Sequence, residues 1–147
     1  MVRPTAFIDR LVPALALVGL VLPAIAAAGN DAEVTKGLRA YLSGDFATAR
    51  ASWQGPAQAG DARGQFGLAV LHASGRGMAK DPEKALTLYR KAAKQGHPTA
   101  AFRLAQAYAE GKGVAKDPEQ ARAWYRRAAE AGHASAYTVL GLRYEDG

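Results

Sequence analysis

Residues 75–97 read GRGMAKDPEKALTLYRKAAKQGH, and 36 residues later 111–133 read GKGVAKDPEQARAWYRRAAEAGH. That return decides the fold, because self-similarity at a period of 20–50 residues marks a stacked repeat architecture. The register extends in both directions. Asp45, Asp81 and Asp117 share it, as do Ala49, Ala85 and Ala121, and Trp53, Tyr89 and Tyr125. Gly60, Gly96 and Gly132 follow, then Leu68, Leu104 and Leu140, then Gly75, Gly111 and Gly147. Between 81–111 and 117–147, 14 of 31 residues are identical. A rich supply of alanine raises that number, but it does not explain the coincidence of Asp, Pro, Tyr, Gly, His and Leu.

Each unit is punctuated as a helix, a turn and a second helix. Asp81-Pro82-Glu83 is a helix start: the Asp carboxylate accepts from free amides, Pro fits the first turn, and Glu suits the positive end of the dipole. Asp117-Pro118-Glu119 repeats it. Ala85, Tyr89, Ala92 and Ala93 then share one face, and Gly96 and Gly132 stop the helix. His97-Pro98 opens the second helix, whose apolar stripe is Ala101, Leu104, Ala105 and Tyr108. The spacing predicts a first helix over about 82–95 and a second over 98–110. Alanines on facing stripes let helices approach closely, while Leu104, Tyr89 and Tyr108 fill the spaces. One hairpin cannot bury its apolar face alone, so neighbours stack.

The ends of the array differ. Asp31 to Leu42 places Val34, Leu38, Tyr41 and Leu42 at helical spacing and is expected to cap the first unit, joined by Ser43-Gly44. Gly55-Pro56 is expected to kink or restart the helix that contains it, since an internal Pro removes a hydrogen bond and clashes with the preceding turn. The third unit reaches Gly147 without a polar terminal helix, so a continuing array is expected.

Residues 1–28 read as a secretory signal peptide: Arg3 and Arg10, the apolar run Leu11–Leu22, Pro23, then the small residues Ala24, Ala26, Ala27 and Ala28. Cleavage after Ala26 or after Ala28 fits equally. The apolar run is shorter than the roughly 20 residues of a membrane span. The expectation is therefore export to the periplasm or medium with no stable membrane anchor. There is no cysteine, hence no disulfide and no lipid attachment site. The chain carries +6, and about +5 once Arg3, Arg10 and Asp9 are removed with the leader. That moderate charge is no nucleic-acid signature.

The segments 75–97 and 111–133, with 52–77 as a variant first unit, resemble the Sel-1-like repeat family, relatives of the tetratricopeptide repeat. The resemblance covers about residues 45–147. It implies an all-α, right-handed α-solenoid of about three units (45–80, 81–116 and 117–147), here behind an N-terminal capping helix and turn at 29–44. It also implies a concave binding surface and a scaffold, adaptor or regulator that binds a peptide or helix, in exported bacterial members often within the cell envelope. The family carries no shared catalytic residues. Some cysteine-rich secreted members are linked to β-lactam binding or hydrolysis, a branch that a cysteine-free chain matches poorly.

The residues themselves hold no catalytic set. His97 and His133 occupy one repeat position, with Asp61 at the same place in the first unit. An Asp-or-His position after glycine is a helix start rather than a metal site. His72 takes the slot of Tyr108 and Tyr144 in the hairpin packing. Gly75-Arg76-Gly77 and Gly111-Lys112-Gly113 lack the Gly-Lys-Ser/Thr of a phosphate loop, and no Gly-x-Ser-x-Gly surrounds a serine. No cofactor or metal is expected. Arg90-Lys91 and Arg126-Arg127 sit near the ends of successive helices, where cations offset the dipole. The candidate partner-binding face is a basic ladder of Lys84, Lys91, Lys94 and Arg127 with Trp124 beside it. It suits an acidic protein segment or an anionic envelope polysaccharide. The reading is a non-catalytic interaction module of the envelope. The alternative is an envelope enzyme or ligand-binding protein acting on cell-wall or β-lactam compounds.

Overall fold

A computed structural model describes residues 28–145, with side chains described to residue 141. The signal-peptide reading of 1–28 lies, but for Ala28, outside the described residues. Met1–Ala32 and Glu33–Gly147 form separate compact units. Of the first only 28–32 are described, and they are helical.

The second unit is all-α among its described residues. Helix α1 ends at residue 42. It is followed by α2 (Phe46–Gln58), α3 (Ala62–Ser74), α4 (Pro82–Lys94), α5 (Pro98–Glu110), α6 (Pro118–Glu130) and α7 (Ala134–Glu145). From α2 onward each helix packs on the next, as a solenoid of hairpins requires.

Local hydrogen bonding sets the helix ends. Asp45, Asp81 and Asp117 cap α2, α4 and α6, accepting from Thr48 N (3.0 Å), Lys84 N (3.0 Å), and Glu119 N and Gln120 N (3.1 and 3.0 Å). Asp61 caps α3 through Arg63 N and also pairs with that guanidinium. Gly75 and Gly111 close α3 and α5 with φ of 69° and 71°, a left-handed conformation that a side chain would strain. Each loop is tied back at the same place: Asp81 N donates to His72 O and Asp117 N to Tyr108 O, both at 2.9 Å.

The core is built of alanine and rings. Ala69, Ala92, Ala100, Ala105, Ala121, Ala128 and Ala136 are fully buried, with Leu71 and Leu104 as the largest side chains wholly out of water. Small residues bring the helix axes together, and aromatic pairs lock successive helices: Phe66–Tyr89 at 5.9 Å and Phe102–Tyr125 at 5.4 Å between ring centres.

Three expectations change. The α1 face turned inward is Gly37, Ala40 and part of Tyr41, whereas Leu38 and Leu42 are 51% and 75% exposed. The Trp53 indole rotates the helix this way. It lies where a Cβ on Gly37 would be, 2.4 Å from its Nε1, and donates that N–H to Val34 O at 3.2 Å. Secondly, of the kink or restart expected at Gly55-Pro56, the restart does not occur: α2 runs on to Gln58. Pro normally excludes helical backbone from its predecessor by a clash with that residue's Cβ, and Gly55 has none. Pro56 also lies close to the helix end and packs against Gly64 of α3. Thirdly, only one of the two histidines caps a helix. His97 Nδ1 accepts from Ala100 N at 3.2 Å. His133 Nδ1 is buried without a hydrogen-bond partner, and Ala136 N donates to the His133 carbonyl instead. Both rings stack on the phenylalanine of the preceding repeat, His97 on Phe66 (4.5 Å) and His133 on Phe102 (4.3 Å, 12° between planes). Stacking is the role that the two histidines share.

Candidate interaction surface

Helix α4 buries Ala85, Leu86, Tyr89, Ala92 and Ala93, which leaves Lys84, Lys91 and Lys94 on its exposed side. Helix α6 buries Ala121, Trp124, Tyr125, Ala128 and Ala129, leaving Arg127 exposed. All four cations of the predicted ladder are therefore solvent-facing, but they do not form one cluster. Ten residues of helix separate Lys84 from Lys94, about 15 Å of rise. Lys84 instead lies near His72, at the opposite end of α4. There burial first, and then the charge of Lys84, holds the His72 imidazole below its ordinary 6.5, with Asp81 opposing.

What the fold does bring together is Lys94 and Arg127. They line one open depression of about 650 Å³ with Glu130, its base formed by Ala93, Gly96, Ala101 and Ala131. It lies where the C-terminal turns of α4 and α6 meet the first turn of α5.

Trp124 is corrected from a surface contact to a core residue. It is 7% exposed because it falls on the inward stripe of α6. Its function at this surface is indirect: the Arg127 guanidinium sits 4.6 Å above its ring. Such a contact contributes about 0.5–1 kcal/mol at an exposed site and holds a long side chain in place. The neighbouring doublet divides likewise. Arg90 turns away and donates to the Tyr108 hydroxyl at 3.0 Å, tying α4 to α5, while Lys91 stays in solvent.

Among the described residues no group of three or more His, Asp or Glu could hold a metal, and no helix is long and apolar enough to cross a membrane. His97 is held below its ordinary 6.5, chiefly by burial and against the pull of its own backbone hydrogen bond and Asp61. Its nitrogen is spent on a cap, its ring on Phe66.

Sequence reasoning missed the depression. The signal was present in the repeat alignment. Position 65 of the first unit is Gln, and its equivalent at 101 is Ala; position 95 is Gln, and its equivalent at 131 is Ala. Gln95 Nε2 donates to Gln65 Oε1 at 2.9 Å across α3 and α4. The same place one repeat on is left open by two methyl groups.

The profile of the Sel1 repeat matches residues 62–97 and 98–133. This frame pairs α3 with α4 and α5 with α6, and so cuts the same 36-residue period at a different point. A solved Sel1 repeat protein from Oxalobacter formigenes is 34% identical, with a TM-score of 0.71 over 79% of this chain and 49% of that one. An SLR-fold protective antigen of uropathogenic Escherichia coli is 32% identical, with a TM-score of 0.72 over 80% of this chain and 26% of that one. Cysteine-rich protein B of Helicobacter pylori shares the fold at 23% identity, with a TM-score of 0.59 over 61% of this chain and 68% of that one. Among curated proteins no relative matches significantly. The chain belongs to the Sel1-like repeat family. It spans about half the length of the first of these structures and a quarter of the second. Proteins built of Sel1 repeats are generally protein-interaction scaffolds.

Proposed function

We propose that this protein is an exported, non-catalytic scaffold of the bacterial cell envelope that holds an acidic peptide or helical segment of a partner against the exposed sides of α4 and α6. The observation that carries the reading is the convergence of Lys94 and Arg127, from successive repeats, on one depression, with Arg127 positioned by Trp124. The leader-like residues 1–28 support export. The repeat fold supports a binding role over a catalytic one.

The test is crosslinking and capture from a bacterial envelope fraction with the purified protein as bait and a Lys91→Glu, Arg127→Glu double variant as control. Exposed ion pairs contribute about 0.2–1 kcal/mol each. Reversing two cations should therefore weaken a captured protein partner by about two- to thirty-fold, and raising salt should weaken it too. A partner bound equally by both proteins and at all salt concentrations would refute the basic face. Turnover of a chromogenic β-lactam or of peptidoglycan fragments, abolished by a point mutation, would refute the non-catalytic reading.

A further inference from the structure

The two inter-repeat junctions of this array are built on the same backbone but differ at two positions, and the difference is chemical. At the first, Gln65 is 6% exposed and its side-chain oxygen is satisfied by Gln95, so the space between α3 and α4 is filled by a polar bridge. At the second, the equivalents Ala101 and Ala131 leave the space open. The walls of that opening carry Lys94, Arg127 and Glu130. Lys94 and Arg127 make no ion pair among the described residues, and neither does Glu130.

We infer that the depression between α4, α5 and α6 is a register-setting subsite for one glutamate side chain of an extended partner peptide. This deepens the reading above and rests on it. Three features select that occupant. The alanine methyls of the base suit an aliphatic stem. Two cations from different repeats suit a terminal carboxylate, which can accept from both, and charge-assisted hydrogen bonds are the strong ones. Glu130 brings the lining to a net single positive charge, so one carboxylate neutralises the site and a second finds no net attraction. Because the glutamine pair occupies the equivalent place at the first junction, the two junctions are not interchangeable for an acidic residue of the partner. The subsite thereby fixes alignment as well as adding affinity.

The experiment is an NMR titration of the purified protein, observing alanine methyl groups, with the capped peptide Ala-Ala-Glu-Ala-Ala and its Gln counterpart as probes. The Glu peptide should shift the Ala101 and Ala131 methyls saturably and more tightly than the Gln peptide, by up to about five-fold, as one ion pair implies. The Ala101→Gln, Ala131→Gln variant keeps every charge and installs a pair that this chain already accommodates at its first junction. It should melt like the wild type and show no saturable shift of the Ala93 methyl, which lines the same depression and is kept in the variant. The reciprocal Gln65→Ala, Gln95→Ala variant opens the first junction beside Lys91 and Lys94 and should gain a second set of shifts at residues 65 and 95. Equal shifts from both peptides, shifts spread along α4, binding unchanged in the filled variant, or binding of free glutarate without binding of the peptide would each overturn the subsite. The two readings fail separately. A captured partner that is lost with the charge-reversed protein but retained by the filled variant would leave the basic face standing and remove the glutamate subsite.

Discussion

Substituting alanine for glycine inside a helix should have opposite signs at two positions of this protein. Gly67 lies within α3, where replacing a helical glycine by alanine ordinarily stabilises by about 0.5–1 kcal/mol. Here the new methyl would sit 2.3 Å from the Trp53 ring, at Cδ2, with other ring atoms at 2.5 and 2.7 Å. The indole cannot yield easily. It is 5% exposed, it fills the space where a Cβ on Gly37 of α1 would stand, and its N–H is bonded to Val34 O. Overpacking costs about 1–3 kcal/mol, and loss of the indole hydrogen bond costs about 1 kcal/mol more. The net is a loss of about 2 kcal/mol for Gly67→Ala. For a unit of this size that lowers the melting temperature by about 8 °C. Gly141 lies within α7 with nothing within 4 Å of where its Cβ would stand. Gly141→Ala should gain about 0.5–1 kcal/mol and raise the melting temperature by a few degrees. The assay is thermal melting by circular dichroism, joined to Trp53 fluorescence in a Trp124→Phe background, which isolates the affected ring. A Gly67→Ala protein that melts at or above the wild type, with unchanged Trp53 emission, would show that the indole is not clasped between α1 and α3.

Leu104→Ala empties the largest wholly buried side chain of α5 and should cost about 3 kcal/mol, read by urea denaturation; a loss below about 1 kcal/mol would mean that the alanine-rich core collapses around the gap. Asp117→Ala removes the acceptor for two amides at the start of α6 and should cost about 1 kcal/mol, whereas Asp117→Asn should retain most of the stability. Stability should fall on acidification. His97 and His72 are both held below their ordinary 6.5, chiefly by burial, so the unfolded chain takes up protons that the folded one resists. Their contribution is complete above about pH 6.5 and is lost as pH falls toward and through the lower folded values. Melting temperatures taken from pH 8 to pH 5 should decline, and His97→Asn, which can still cap α5, should make the decline shallower; a flat profile in the wild type would contradict it.

The glutamine pair shows how repeat proteins carry specificity. Three units with the same aspartate cap on their first helices and the same alanine stripes present a similar backbone, so specific recognition must come from positions at which the units differ. In this chain the positions equivalent to Gln65 and Gln95 are among those, and so is the tryptophan that stands at 124 where the preceding unit has Leu88. Leu88 is partly buried against the core and cannot hold a guanidinium as Trp124 holds Arg127. The second junction therefore acquires both an opening and an ordered cation.

The amino-acid sequence alone determined the 36-residue period, the all-α class, the boundaries of α4 and α5 to within a residue and the solvent exposure of Lys84, Lys91, Lys94 and Arg127. These are outcomes of local forces. A carboxylate three residues from an amide, a glycine at a helix end and a 3.6-residue apolar stripe act within one or two turns of chain, and all are readable in order along it. Tertiary structure alone decided which side of α1 faces inward, that Pro56 is tolerated, that His133 stacks without capping, that Trp124 lies beneath Arg127 and that Lys94 and Arg127 line one depression together with alanines. Each of those depends on a ring or a methyl group contributed from another helix. Whether that neighbour fills a space or leaves it open is settled only when the helices are packed.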